Sequence, residues 1–262
     1  DNFAIGGSTY GQGNVIGFGT MPISYSALAG TATISGNYVG VTHDAGVWRN
    51  IGPTGDCIYI DATGGTVALT IGGATVASAN YICHSPANGI HLYTGEFIAV
   101  QANYIGTNGV SADLANDIGI TIEEGGGTSS MVIGAAALPT VVRGSTQGIK
   151  LVAGNISQSN TTKVFGNVAT GGGTWGMGLG SLICSGNIDM GGCVFDNGTT
   201  ATITMDSTTA VQTIAGITEF ESLHYAGRKR LNLGAWTIND RLVVESGSVS
   251  CPSVTLTMAD LA

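Results

Sequence analysis

Residues 3–16 read FAIGGSTYGQGNVI and residues 69–82 read LTIGGATVASANYI. At this offset of 66 positions, six of the fourteen residues are identical: Ile5/Ile71, Gly6/Gly72, Gly7/Gly73, Thr9/Thr75, Asn14/Asn80 and Ile16/Ile82. The same offset aligns ISGNYVG (34–40) with VQANYIG (100–106). A third copy, VIGAAALPTVVRGSTQGIKL (132–151), resembles TIGGATVASANYICHSPANGIHL (70–92) with small deletions. In that copy Thr140 and Arg143 replace an Asn and a small residue. A fixed internal period points to a repeat architecture and outranks any single-strand assignment.

The text between these motifs is strand-like. DCIYID, GIHLY, DIGITIE, GIKLV, RLNLG and RLVVES alternate apolar and polar residues, the period of a half-buried strand, and are separated by Gly, Asn, Ser and Thr. Helical periodicity is nearly absent, and 43 glycines in 262 residues make long helices expensive. Asn14, Asn37, Asn80, Asn103 and Asn167 each precede an apolar pair, and a spacing of 23 occurs twice among them. This spacing predicts that each 64–66-residue unit divides into three turns of about 22 residues. The expected architecture is an all-β solenoid, a parallel β-helix of about twelve coils and on the order of 55 Å long. Stacked coils would bury rows such as Ile58, Ile90, Ile120 and Ile149, and the corner asparagines would form a ladder of amide hydrogen bonds.

Composition agrees with that reading. Eight Lys+Arg against 17 Asp+Glu give a net charge of −9, and like charges repeated at strand spacing would repel. A hydrophobic fraction of 43% excludes disorder by polarity, and five prolines without a Gly-X-Y period exclude collagen. The one dense cationic cluster is Arg228-Lys229-Arg230, so no nucleic-acid partner is expected. No apolar run reaches membrane-spanning length, so no membrane insertion is expected. The chain begins at Asp1 without a signal-peptide pattern and its last residues still read as strand, so a piece of a longer, processed chain is expected, with uncapped coil ends that stack on further domains or copies. The cysteines, Cys57, Cys83, Cys184, Cys193 and Cys251, form no CxxC motif. They read mainly as small buried apolar residues, although Cys184 and Cys193 are close enough in sequence to close a small loop.

The motifs IGG-T-----NVI, NGIHL or QGIKL, and GNYVG or ANYIGTNGVSADLANDIGITI resemble the right-handed parallel β-helix repeats of large bacterial surface and secreted proteins. The resemblance covers residues 3–168, giving a first segment over 1–168. Residues 169–262 are similar to other β-strand repeats, of long extracellular proteins and some phage fibres, through Phe220, Leu223, Gly227, Leu231, Leu233, Leu242, Val244 and Gly247. The glycine-rich stretch 166–180 around Trp175 is the expected boundary, a loop or a change of coil cross-section. The resemblance implies a location outside the cell, on a cell surface or on a virion. It also implies a structural or adhesive rod that presents a rigid face to carbohydrate or to subunits and assembles into a filament.

The competing expectation is a polysaccharide-degrading enzyme, lyase-like or tailspike-like, because paired carboxylates on adjacent coils serve as acid and base. Asp61 and Glu123 fall at equivalent points, Glu124 is adjacent and Glu96 lies near the turn between them. Oxygen ligands there would hold Ca²⁺ or sugar hydroxyls, or else be solvated corner charges. Asp189 and Asp196 form a second candidate pair. His91 and Lys150 occupy equivalent places with Thr121 between them, and His84 has no further metal-ligand spacing. Among Tyr10, Tyr38, Tyr59, Tyr81, Tyr93 and Tyr104, three (Tyr38, Tyr81, Tyr104) directly follow a ladder asparagine. Facing outward they would stack on sugars or a partner protein, and facing inward they would pack the corner. Asn155, Asn160 and Asn197 lie in N-x-S/T sequons. An ice-binding face would need a regular Thr-x-Thr array, and TIT (202–204) and TLT (255–257) are isolated.

Overall fold

Strands account for more than half of the described residues. The structure is a computed structural model that describes residues 2–26, 29–62, 66–94, 98–109, 114–123, 130–134, 139–208, 210–217, 219–232, 234–250 and 253–256. Among the described residues the single helical element is the short 3₁₀ turn Val76–Ser78, and no helix is long and apolar enough to cross a membrane. The chain visits three faces in rotation. Asn2–Gly6 lies on the first face, Val15–Ile16 on the second and Ile23–Tyr25 on the third, and Ala29–Ser35 returns to the first, parallel to Asn2–Gly6. The first face is an eight-stranded sheet. The other two belong to one twenty-stranded, nearly closed sheet, joined where Thr140–Leu151 runs from one face to the other. Every ladder in these two sheets is parallel, which gives an all-β, solenoid-like stack.

Residues of similar shape stack in the interior. The first face aligns Ile5, Ile34, Ile71, Val100 and Ile133. The second aligns Ile16, Val39, Ile82, Ile105, Val142 and Val164. The third aligns Ile23, Ile58, Ile90, Ile120, Ile149, Val168, Ile188 and Ile214, so the isoleucines read from the sequence as one row do stand in register. Most of these side chains are fully buried. Each contributes about 1.5–3 kcal/mol of transfer free energy. Parallel strands covered on their inner side explain the Val/Ile bias.

Coil length differs from the sequence expectation. Along the first face Phe3 stands opposite Ala32, Ala32 opposite Leu69 and Leu69 opposite Ile98, steps of 29, 37 and 29 residues. The 66-residue repeat is therefore two coils and not three. The step of 23 recurs only on the second face, between Asn14 and Asn37 and between Asn80 and Asn103. Between Asn37 and Asn80 the second face spans 43 residues, because the antiparallel hairpin Val41–Asp44/Val47–Asn50 projects from the coil. Its two-residue turn, Ala45-Gly46, has positive φ at both positions, as a type I′ hairpin requires. Beyond Ile149 the coils shorten to steps of 19 and 20 residues, Ile149 to Val168 to Ile188. The ladders cross positions 168–169 without a break.

The corner between the first and second faces explains the repeated motifs. Gly6 and Gly72, at φ of 81° and 91°, have no room for a side chain: a Cβ would lie 2.0 and 1.9 Å from Ser35 O and Gln101 O of the next coil. Beside them run the asparagines. Asn14 donates its backbone N–H and Nδ2 to Asn37 Oδ1 at 3.0 and 3.1 Å. Asn37 does the same to Asn80 at 3.0 and 3.0 Å, and Asn80 to Asn103 at 3.1 and 2.9 Å. Each buried amide also gives Nδ2 to a first-face carbonyl: Ile5 O, Ile34 O and Ile71 O. Thr140 takes the next position, fully buried with Oγ1 on Val100 O, and the register holds with Tyr104 opposite Val141.

Asn167 is not part of this row. It precedes Val168 on the third face, because the shortened coil leaves only residues 166–167 between Thr161–Phe165 and Val168–Thr170. There Asn187 N donates to Asn167 Oδ1 and Thr213 N to Asn187 Oδ1, both at 2.9 Å, a second and more exposed amide ladder.

Asn80→Ala should cost about 2–4 kcal/mol, because it strands the Asn37 donors and Ile34 O in the interior. Asn187→Ala should cost less than about 1.5 kcal/mol, since solvent replaces its bonds. Urea unfolding of the two variants against the parent checks the ordering.

Candidate functional site

The third face carries the main polar cluster. Its outward row runs Tyr59, His91, Thr121, Lys150, Ala169, Asp189. At its centre His91 Nδ1 lies 2.9 Å from Asp56 Oδ2, and Nε2 lies 3.5 Å from Glu123 Oε2. The first contact is a hydrogen bond. The second is a charge contact, since Nε2 has no aligned acceptor. Asn88 braces Asp56 from the next coil, donating N and Nδ2 to Oδ1 at 2.9 and 2.7 Å, and Thr121 Oγ1 donates to Asn88 Oδ1. One imidazole thus links carboxylates from the coils on either side of it.

Burial alone would pull the His91 pKa down and push that of Asp56 up. For His91 the hydrogen bond and charge of Asp56, with Glu123 assisting, outweigh burial and hold it above its ordinary value; for Asp56 the His91 hydrogen bond, the two Asn88 hydrogen bonds and the His91 charge hold it below. Tyr59 meets His91 edge-on at 5.2 Å, and burial together with Asp61, Tyr93, Asp56 and Glu123 raises its pKa. Asp56 and Asn88 were not singled out in the sequence. Their pairing spans 32 residues, and nothing local to GDCIYID or ANGIHL fixes that offset.

Asp61 and Glu123 lie on the same face two strands apart, about 9–10 Å by strand spacing. Thr94 Oγ1 from the intervening coil donates to Asp61 Oδ1 at 2.8 Å. Glu124 and Glu96 lie outside the described residues. Among the described residues no group of three or more His, Cys, Asp or Glu is placed to hold a metal ion. Asp189 and Asp196 are not brought together: Asp189 stands in the His91 row between Ala169 and Ala215, whereas Asp196 sits on the last first-face strand opposite Gly176. Both are exposed, and each accepts a bond from a glycine N–H two residues on.

Tyr38, Tyr81 and Tyr104 form an outward row on the second face. Their rings are nearly parallel, 5.1 and 5.0 Å apart at 7° and 9°. Their faces are therefore turned toward one another along the coil axis, leaving edges and hydroxyls for solvent. Trp48 of the hairpin leans on Tyr81 at 5.0 Å and stacks on His43 at 4.4 Å. On the other flank, a 160 Å³ notch runs between Tyr10 and the Tyr38–Tyr81 pair. Burial and the neighbouring tyrosines push the Tyr81 pKa up to about 12.

Cys184 and Cys193 do not close a loop. Both are free, and Cys184 fills the second-face core row between Val164 and Met205. Burial raises the Cys83 and Cys184 thiols to about 12, so they pack as apolar groups. Cys251 lies outside the described residues.

Comparison of the chain with protein-family models, curated proteins and solved structures gave no match.

The His91 cluster predicts a pH-dependent stability. A raised imidazole pKa contributes fully below the unfolded value of 6.5 and fades as pH rises through the folded value. The lowered Asp56 contributes above 3.8 and fades as pH falls through its folded value. His91→Gln should therefore cost about 1–3 kcal/mol near pH 5.5, and the difference from the parent should shrink toward pH 8.5. Equal losses at both pH values in urea titrations would remove the charged-pair account.

Proposed function

We propose that the chain is a segment of right-handed parallel β-helix that serves as a rigid structural and adhesive rod outside a cell or on a virion. Its outward faces bind carbohydrate or a neighbouring subunit, and end-to-end association with further domains or copies extends the rod. The observation that carries this reading is the continuity of the stack. Parallel strand ladders join the coils, with stacked inner rows along their length and amide ladders at the corners from Asn14 to Asn103 and from Asn167 to Thr213, giving a body whose outward side chains repeat at strand spacing.

On such a body the tyrosine row is the favoured contact for carbohydrate. Its rings stack on each other, so the contact is through the line of hydroxyls and ring edges, with the notch beside Tyr10 receiving one ring of the ligand. A phenol row is amphipathic and already ordered, which lowers the entropic cost of binding.

The third face supports a second reading, a glycan depolymerase. Asp61 and Glu123 flank one coil with backbones about 9–10 Å apart, near the upper end of the spacing at which paired carboxylates activate water, and the Asp56–His91 pair adjoins Glu123. Incubation with acidic polysaccharides, followed for reducing or unsaturated ends, tests it. Activity abolished by Glu123→Gln would establish the enzyme and displace the structural reading.

The triple variant Tyr38→Phe/Tyr81→Phe/Tyr104→Phe keeps the ring stack and removes the hydroxyl row. On a glycan array, an unmodified chain that binds and a triple variant that binds about five- to tenfold more weakly at unchanged melting temperature is the expected result. Equal binding would move the contact off this face.

A further inference from the structure

Past Tyr104 the second-face row continues through Val141 to Lys163, and the neighbouring column places Arg143 opposite Phe165. Here the surface changes from aromatic to cationic. Arg143 Cζ lies 4.5 Å and Lys163 Nζ 4.8 Å from the centre of the Phe165 ring, so two cations share one aromatic side chain. Lys163 is partly neutralised by Asp206, 3.7 Å away, which also accepts from Ser185 Oγ at 2.6 Å.

Arg143 differs. No ion pair joins it to a carboxylate among the described residues, and its Nε is buried without an acceptor. That enclosed Nε is beyond the reach of an external ligand, so what the residue offers to one is its pair of terminal nitrogens, which are not among the buried unpartnered atoms. The residue faces an open cleft of 420 Å³, lined also by Ser145, Phe165, Gly166 and Ser185. Asp117, near the cleft, is engaged by the hydroxyls of Ser145 and Thr146.

We propose that this cleft is an oxyanion subsite that takes the carboxylate or sulfate group of an acidic polysaccharide laid along the second face. The inference rests on the carbohydrate reading of the tyrosine row and names the class of glycan. Coil geometry supports the connection, because Arg143 lies one coil beyond Tyr104 and one column over. A chain following the stack therefore meets the hydroxyl row first and the guanidinium next. The planar fork of Arg pairs with a carboxylate or sulfate through two parallel hydrogen bonds, while the Phe165 ring, 4.5 Å from Cζ, packs against the guanidinium. The net charge of −9 disfavours indiscriminate polyanion binding, so attraction at this point depends on a placed cation and not on a general basic field.

Calorimetric titration of the full chain with an oligogalacturonate, a sulfated oligosaccharide, an uncharged oligosaccharide of equal length, and free acetate and sulfate tests the proposal. At least one charged oligosaccharide should bind about tenfold more tightly than the uncharged one. Arg143→Met should bring that ratio to about one, and Arg143→Lys, which keeps charge and bulk without the fork, should retain part of it. A charged-to-uncharged ratio near one in the parent, or a ratio that survives both substitutions, overturns the subsite and leaves the carbohydrate reading standing. Free acetate or sulfate binding as tightly as the oligosaccharide overturns the assignment to a glycan. Binding of none of the oligosaccharides overturns both readings.

Discussion

At each corner of the stack the backbone leaves one sheet and enters the next, and its polar groups there face a dry interior. They need partners that no ladder supplies. The asparagine side chain meets this need because it carries an acceptor and two donors on a short stem. Asn80 Oδ1 receives both donors of Asn37, while its own Nδ2 reaches Asn103 and Ile34 O. The bonding repeats from Asn14 to Asn103, so one residue type at one position closes the hydrogen bonding of four successive corners. The adjoining glycines follow from the same constraint, since the next coil's carbonyl sits where a Cβ would be. With the corner fixed, the inner rows have one register to adopt, because a one-residue slip would turn every isoleucine outward.

A corner held by side chains leaves the loops between strands free in length. The 43-residue passage from Asn37 to Asn80 carries a hairpin, and the 23-residue passage from Asn80 to Asn103 does not, yet both end in the same amide bond. For this reason the sequence revealed the nature of the stack better than its pitch. The IGG and NYVG motifs and the isoleucine rows are legible because identical residues must recur wherever identical corners recur. The number of residues per coil is not, because insertions change spacing without changing register. Asn167 shows the converse: GNV at 166–168 reads like GNYV at 36–39, but the shortened coil delivers it to another edge. The Asp56–His91 bond was illegible for the same reason, since its partners are joined through a coil whose length no local pattern states.

In-register stacking also sorts side chains by what they do beside a copy of themselves. Isoleucine packs on isoleucine, an amide bonds an amide and a tyrosine ring stacks on a tyrosine ring. A charge beside its own copy repels. The third face obeys this, with His91 between Asp56 and Glu123, whereas on the second face Arg143 and Lys163 are brought together over the Phe165 ring. With only 25 charged residues in the chain, an unpaired one is conspicuous. Arg143 stands in a position where the preceding coil has Gly106 and the following coil Phe165, with no copy of itself to avoid and no carboxylate paired with it among the described residues. The stack gains a contact with the Phe165 ring from the guanidinium there, worth about 0.5–1 kcal/mol, but no neutralising partner among the described residues. A charge that the packing contacts but does not neutralise, beside a row of ordered phenols, is what the proposed acidic ligand would meet.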